Sequence, residues 1–127
     1  MRRVVLDMQN VLFADAVAEA LRRFDSDFDP VMSECPRKTV ALCNATLANI
    51  LIMEVTAYTP WSLEKRLKIR DELRKQSPNC KIVLVVDENT EKKLADRVRQ
   101  AKKDDLIDNF IYGSVSSSYL SAVIDAL

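Results

Sequence analysis

The chain has 127 residues, of which 48% are hydrophobic and 30% charged, and its 19 basic residues balance its 19 acidic residues. This length predicts one domain, residues 1–127, and the balanced charge gives no sign of the basic face that binds nucleic acid. The absence of histidine excludes Ser-His and Cys-His nucleophile pairs. A single glycine, Gly113, excludes Walker loops and dinucleotide fingerprints, which need two or three glycines close together.

Neither a secretory signal peptide nor a membrane span is predicted. The first apolar run, Val4–Leu6, stops after three residues, whereas a signal peptide needs about 7–15 apolar residues and a span about 18 or more. The three cysteines, Cys35, Cys43 and Cys80, are scattered and form no Cys-x-x-Cys pair. Such thiols are typical of a reducing compartment, so we expect a cytoplasmic protein whose cysteines pack as small apolar residues.

Short apolar runs alternate five times with segments of helical periodicity. The predicted strands are Val4–Leu6 (closed by Asp7), Phe28–Met32, Asn49–Val55, Lys81–Val86 and Asn109–Tyr112. The predicted helices run from Asn10 to about Phe24, Pro36 to about Thr46, Ser62 to about Lys75, Thr90 to about Lys102, and Ser116 to Leu127. Continuous apolar strands separated by helices predict a parallel sheet covered on both faces. We therefore predict an α/β fold, a flavodoxin-like (βα)5 doubly wound sandwich with strand order 2-1-3-4-5.

Any chemistry in such a fold is expected at the carboxyl edge of the sheet, just past each strand. At that edge, four segments in the correct order resemble the receiver domain of bacterial response regulators. Residues 49–55 are similar to the family's third strand, which ends in the phosphoacceptor aspartate, and residues 62–64 follow where the family often has Gly-Leu-Glu. Residues 78–87 are similar to its fourth strand and residues 110–116 to its fifth, so the resemblance covers nearly the whole chain.

The resemblance also indicates that the phosphoryl-transfer groups are lost. An active receiver holds Mg2+ with two carboxylates after the first strand and the acceptor aspartate, and a hydroxyl and a lysine neutralise the phosphoryl oxygens. Here Asp7 is followed by Met8, whose thioether is a poor ligand for a hard cation. Glu54 stands at the acceptor position, about 1.5 Å longer than aspartate, Val86 replaces the hydroxyl and Gly113 replaces the lysine.

We therefore predict a degenerate receiver, or pseudo-receiver, that is not an enzyme and has no catalytic residue and no cofactor. Asp87 adds negative charge where the family prefers a tiny residue. If Mg2+ binds at all, the resemblance implies Asp7, Glu54 and the backbone carbonyl of Thr56 as its ligands. Two interpretations stay open: Asp7 and Glu54 are ordinary solvated carboxylates at the sheet edge, or Glu54 mimics the phosphorylated aspartate.

Four further residues are candidates for switching or interaction. Phe110 occupies the position of the family's aromatic switch, and the alternative is an ordinary core residue. Trp61 follows the third strand and either anchors a partner or folds back as a lid. The charged segment 88–103 is either a solvated face or, with the fifth strand and helix, a dimer surface. On the second interpretation, charge reversal at Lys93 and Arg97 is expected to weaken a homodimer.

The function we expect is signalling through protein contacts, without phosphorylation, with an attached output domain or a separate protein as partner. Residues 1–127 would then be a whole protein or the N-terminal part of a longer response regulator, without direct contact to nucleic acid or membrane. One alternative is an atypical receiver that is still phosphorylated, using Asp7 and Glu54. Another is an unrelated flavodoxin-like module that binds a small ligand through Ser114 and Ser116–Ser118.

Overall fold

The computed structural model describes Met1–Leu127 and contains one parallel sheet of five strands. The strands are β1 (Arg2–Asp7), β2 (Phe28–Met32), β3 (Ile50–Glu54), β4 (Lys81–Val86) and β5 (Asn109–Tyr112). They pair in the order β2-β1-β3-β4-β5, which confirms the predicted fold and strand order. The helices are α1 (Val11–Phe24), α2 (Thr39–Thr46), α3 (Leu63–Gln76), α4 (Lys92–Lys103) and α5 (Ser117–Asp125). No helix combines the length and the apolar character that crossing a bilayer requires.

Polar side chains set the starts of three helices. Asn10 accepts a hydrogen bond from the Phe13 backbone N–H at 3.0 Å, as the predicted cap of α1. Ser62 caps α3 in the same way, and Ser116 caps α5 by accepting from the Tyr119 N–H at 3.2 Å. Each cap satisfies a backbone donor that the first helical turn leaves free.

Two predicted helices differ from the structure at their N-terminal ends. Pro36–Lys38 forms a separate 3-10 turn before α2. The start of α4 was predicted at Thr90 but lies at Lys92, because Asp87 organises the preceding residues into a turn. Its Oδ1 accepts from the Asn89 N–H at 2.9 Å and the Thr90 N–H at 3.3 Å. An aspartate side chain that binds backbone N–H groups in this way competes with helix formation.

The core consists of two apolar layers, one on each face of the sheet. Strand alternation in β3 sends Leu51 and Met53 towards α2, α3 and α4, whereas Ile50 and Ile52 pack on the layer with α1 and α5. The same alternation separates the two acidic strand ends. Asp7 continues the line of Val5 towards α2 and α3, and Glu54 continues the line of Ile52 towards α1.

Candidate functional site

Asp7 forms a buried ion pair with an arginine from α3. The Asp7 residue is 2% exposed, and Arg66 is 0% exposed. Arg66 Nη1 donates to Asp7 Oδ2 at 2.6 Å, and Nη2 donates to Asp7 Oδ1 at 3.3 Å and to the Asp7 backbone oxygen at 3.0 Å. Arg66 Nε donates to the backbone oxygen of Glu54 at 2.8 Å. One guanidinium therefore joins the carboxyl ends of β1 and β3.

A hydroxyl from α2 completes the partners of the Asp7 carboxylate. Thr39 Oγ1 donates to Asp7 Oδ2 at 2.7 Å, and Thr39 is itself fully buried. The Ser33 hydroxyl lies 2.7 Å from Thr39 Oγ1 and 3.0 Å from the Cys35 backbone oxygen. Both carboxylate oxygens of Asp7 therefore have donors, which is the condition under which a buried charge is tolerated.

Sequence reasoning missed Arg66, although the sequence contains a signal for it. Arg66 is three residues after Leu63 and seven before Leu73, and both leucines are buried on the inward face of α3. Positions with these spacings share one face of a helix. A charged residue on that face must have a buried partner. Asp7, at the end of a buried strand, was the acidic residue available at the same edge of the sheet.

Glu54 lines a cleft at the carboxyl edge, on the other side of the sheet from Arg66. Its Oε1 accepts a hydrogen bond from the Asn10 backbone N–H at 3.0 Å. The cleft has a volume of about 350 Å3 and is lined by Asn10, Phe13, Glu54, Val85, Val86, Asp87, Asn89, Gly113 and Ser114. Three of the predicted receiver positions, Glu54, Val86 and Gly113, therefore meet in one place. Asp7 and Thr56 are not among its lining residues.

The cleft contains negative charge and no positive charge. Glu54 and Asp87 are its carboxylates, and none of its lining residues is a lysine or an arginine. The backbone N–H of Asn89 lowers the pKa of Asp87, with a further contribution from the Thr90 side chain, so this carboxyl stays ionised at neutral pH. The Ser114 hydroxyl is bound to the side chain of Glu88. No residue that lines this cleft offsets the charge of a further anion.

The residues predicted as Mg2+ ligands do not fit that role in this arrangement. The Asp7 carboxylate already binds Arg66 and Thr39, and the Glu54 carboxylate lies on the opposite face of the sheet. Thr56 belongs to the loop after β3, where its backbone N–H donates to the Trp61 oxygen at 3.0 Å. No group of three or more acidic or cysteine side chains in the chain is arranged to hold a metal ion.

The aromatic candidates lie partly in the core. Phe110 is half-buried, packs against the core layer with α2–α4, and meets the Tyr112 ring edge-on with centroids 5.5 Å apart. This placement agrees with the ordinary-core interpretation, and the switch role stays a prediction. Trp61 is also half-buried, and its backbone N–H donates to the backbone oxygen of Tyr58 at 2.9 Å. The exposed aromatic residue of that loop is Tyr58.

Lys93 and Arg97 lie on the side of α4 that faces α3, and their role in a surface with β5 and α5 stays a prediction. Arg97 pairs with Glu64 at the start of α3, and both basic residues line a cleft of about 210 Å3 between α3 and α4. The residue of α4 that contacts β5 is Arg99, whose Nη1 donates to the Tyr112 hydroxyl at 2.7 Å. Residues two apart on a helix point about 200° apart, so Arg97 and Arg99 face different neighbours.

Comparisons with known proteins identify the fold. No protein-family model and no curated protein sequence matches the chain. A LuxR-family DNA-binding response regulator from Staphylococcus aureus superposes with a TM-score of 0.77 at 16% identity, covering 99% of this chain and 98% of that chain. A response regulator from Thermotoga maritima gives 0.76 at 14% identity, with 99% and 96% covered.

A third solved structure is a CheY-like receiver domain protein from Methanospirillum hungatei JF-1. It superposes with a TM-score of 0.73 at 11% identity, covering 99% of this chain and 92% of that chain. At sequence identities this low, the structural likeness establishes the fold alone. The chain has the fold of response-regulator receiver domains, which confirms at that level the resemblance seen in the sequence.

Proposed function

We propose that this chain is a receiver-like signalling domain that works without phosphorylation, by contact with a protein partner or an attached output domain in the cytoplasm. The receiver fold supports a signalling module rather than an enzyme. One observation supports independence from phosphorylation most directly. The cleft at the acceptor position contains the carboxylates of Glu54 and Asp87 and no cation among its lining residues.

The electrostatic cost of a phosphoryl group in this cleft supports the proposal. A phosphoryl group brings about 1.5 to 2 negative charges at neutral pH. Two like unit charges about 5 Å apart repel each other by about 3 kcal/mol at an effective dielectric constant of about 20. An active receiver offsets this repulsion with a metal ion and a lysine. Here Val86 and Gly113 supply neither a hydroxyl nor a charge, and Arg66 is bound to Asp7 on the other face.

Treatment with acetyl phosphate and Mg2+, followed by intact-protein mass spectrometry, tests this proposal. We expect no added phosphoryl mass on the wild-type chain or on Glu54→Asp. The matched positive control restores the family's groups together: Met8→Asp, Glu54→Asp, Val86→Thr, Gly113→Lys and Arg66→Met. A Cβ at Gly113 has room, since its nearest neighbour would be the Val86 oxygen at 3.9 Å. Phosphorylation of the wild-type chain, or of Glu54→Asp alone, would contradict the proposal.

We further propose a second copy of this chain as partner, bound through α4, β5 and α5. A groove of about 480 Å3 follows the edge strand β5, and its lining is mostly apolar, with Phe110, Tyr112, Val115 and Tyr119 among its residues. Tyr119 is exposed at the first turn of α5. The mixed charges of α4 suit self-association, because complementary charges fix the register between copies.

The sedimentation of matched variants, which reports whether the chain is a monomer or a dimer, tests whether this surface forms the dimer. Tyr119→Asp places a charge in the groove beside β5, whereas Tyr58→Asp places one at another exposed aromatic residue, in the loop after β3. We expect only Tyr119→Asp to shift the wild-type dimer to monomer. A wild-type chain that sediments as a monomer at all concentrations would remove the homodimer and leave a different protein as the partner.

A further inference from the structure

Two buried cysteines that are distant in the sequence meet between α2 and β4. Cys43 lies on the inward face of α2, one turn after Thr39, and Cys80 directly precedes β4. Both side chains belong to the same core layer, each thiol is close enough to shift the pKa of the other, and they are not joined by a disulfide. The sequence showed three scattered thiols, so this contact is a product of the fold.

The backbone around the two thiols is held by neighbouring hydrogen bonds. The Ser77 hydroxyl donates to Asn44 Oδ1 at 2.6 Å, which fastens the residue after Cys43 to the turn before Cys80. Within that turn, the Cys80 N–H donates to the Ser77 oxygen at 3.1 Å. Ser77 therefore links the two backbone segments that carry the thiols.

The surroundings make the two thiols chemically unequal. The neighbouring Cys43 thiol lowers the pKa of the Cys80 thiol, and the Arg74 guanidinium lowers it further, while burial opposes them. Arg74 Nη1 donates to the backbone oxygens of Pro78 and Cys80, at 2.7 Å and 3.3 Å. The same thiol contact, together with burial, raises the pKa of Cys43. Cys80 is thus the better thiolate and Cys43 the better proton donor.

We propose that Cys43 and Cys80 are an oxidation site that forms an intramolecular disulfide with a hydroperoxide such as hydrogen peroxide. The Cys80 thiolate attacks one peroxide oxygen, the O–O bond breaks, and the departing hydroxide takes a proton to become water. Cys80 is then a sulfenic acid. Cys43 Sγ, on losing its proton, attacks Cys80 Sγ, the S–O bond breaks, and the departing hydroxide takes that proton. Two thiols lose two electrons, and one peroxide becomes two waters.

The oxidant reaches the pair through local opening of α2. This helix has only eight residues and is followed by Leu47, whose φ of 54° places a branched side chain in the left-handed region. Short elements with a strained end open at lower free energy than the rest of a domain. Since Thr39 on the same helix donates to Asp7, the disulfide would also fix the helix that completes the Asp7 site.

Peptide mapping under non-reducing conditions tests the proposal on the whole chain. After peroxide treatment, we expect one cross-linked peptide pair containing Cys43 and Cys80, lighter by two hydrogens and restored by dithiothreitol. Cys35→Ser is expected to retain this link. Cys43→Ala is expected to lose it and to carry a sulfinic acid at Cys80, because no thiol is left to resolve the sulfenic acid.

The half-exposed Cys35 provides the internal standard for the peroxide dose. The proposal would be overturned if Cys43 and Cys80 stayed reduced while Cys35 was fully oxidised. It would also be overturned if every disulfide that forms included Cys35. If the alanine variant does not fold, the Cys35→Ser protein alone decides the question. The oxidised protein should also melt about 10 °C higher than the reduced protein, because the cross-link closes a long loop. A lower melting temperature after oxidation would contradict a disulfide that fits the native fold.

Discussion

Replacing Arg66 with methionine is expected to lower the free energy of unfolding by about 3–5 kcal/mol. Arg66 donates four hydrogen bonds, three to Asp7 and one to the backbone oxygen of Glu54. Methionine fills much of the same volume but donates none of them, so the Asp7 carboxylate stays buried without a counter-charge. Because a domain is stable by about 5–15 kcal/mol, this single change removes a large part of the total.

Removing the charges of both Asp7 and Arg66 is expected to lower the free energy of unfolding less than removing the charge of Arg66 alone. In Asp7→Leu/Arg66→Met no buried charge is left, and apolar replacement of a whole buried pair is often close to neutral. Thr39 keeps an acceptor in the Cys35 oxygen at 3.3 Å, so the main losses are the donors to the backbone oxygens of Asp7 and Glu54. An unsatisfied buried group costs about 1–3 kcal/mol, but the single Arg66→Met variant loses the same donors and also leaves a buried charge, so the double variant should be the more stable of the two.

Urea unfolding followed by far-ultraviolet circular dichroism measures both effects. The matched control is Arg97→Met, because Arg97 pairs with Glu64 on the surface, with 54% and 62% of the two side chains exposed. Exposed pairs contribute less than about 1 kcal/mol. An Arg66→Met protein that loses no more stability than Arg97→Met would refute the conclusion that Arg66 is required to keep Asp7 buried.

Two further predictions concern the termini of helices. The pKa of Asp87 is lower in the folded chain, so its contribution to the stability of the fold is present above the unfolded pKa and is lost as the pH falls through the folded value. Melting curves should therefore show the wild type losing stability relative to Asp87→Asn below about pH 4. Parallel curves for the two proteins would contradict this. Leu47→Gly should raise the free energy of unfolding by about 1 kcal/mol, because glycine adopts the left-handed φ without strain. Leu12→Gly, equally exposed but inside α1, should lower it by a similar amount, and a loss in both variants would count against the strain at Leu47.

The fold could be predicted from the sequence because its strongest signals are local. Residues 50–53 and 82–86 are almost entirely buried, and such unbroken apolar runs between amphipathic helices leave few arrangements other than a parallel sheet. The caps at Asn10 and Ser116 are equally local, since donor and acceptor lie three residues apart. The start of α4 was less predictable, because Asp87 binds the backbone in a turn instead of in the helix.

The site could be predicted only in part, because its decisive contacts join distant residues. The positions of Glu54, Val86 and Gly113 followed from the strand ends, and the fold brings them together. The partner of Asp7 did not follow, since Arg66 is 59 residues away and resembles an ordinary polar residue of an amphipathic helix. The direction of Arg97 towards Glu64 did not follow either, because it depends on the rotation of α4 against the sheet, which composition does not determine.

The Arg66 contacts also bear on how an input would act on the signalling domain proposed above. In an active receiver, a metal ion that can leave joins the acidic ends of the first and third strands. Here the Arg66 guanidinium joins the ends of β1 and β3, through the Asp7 carboxylate and the Glu54 oxygen. An arginine side chain cannot dissociate from the chain, and it does not lose its proton in proteins. This link cannot be lost by release of an ion or a proton, so we expect an input to act elsewhere: at a partner surface, or at the proposed oxidation site of Cys43 and Cys80.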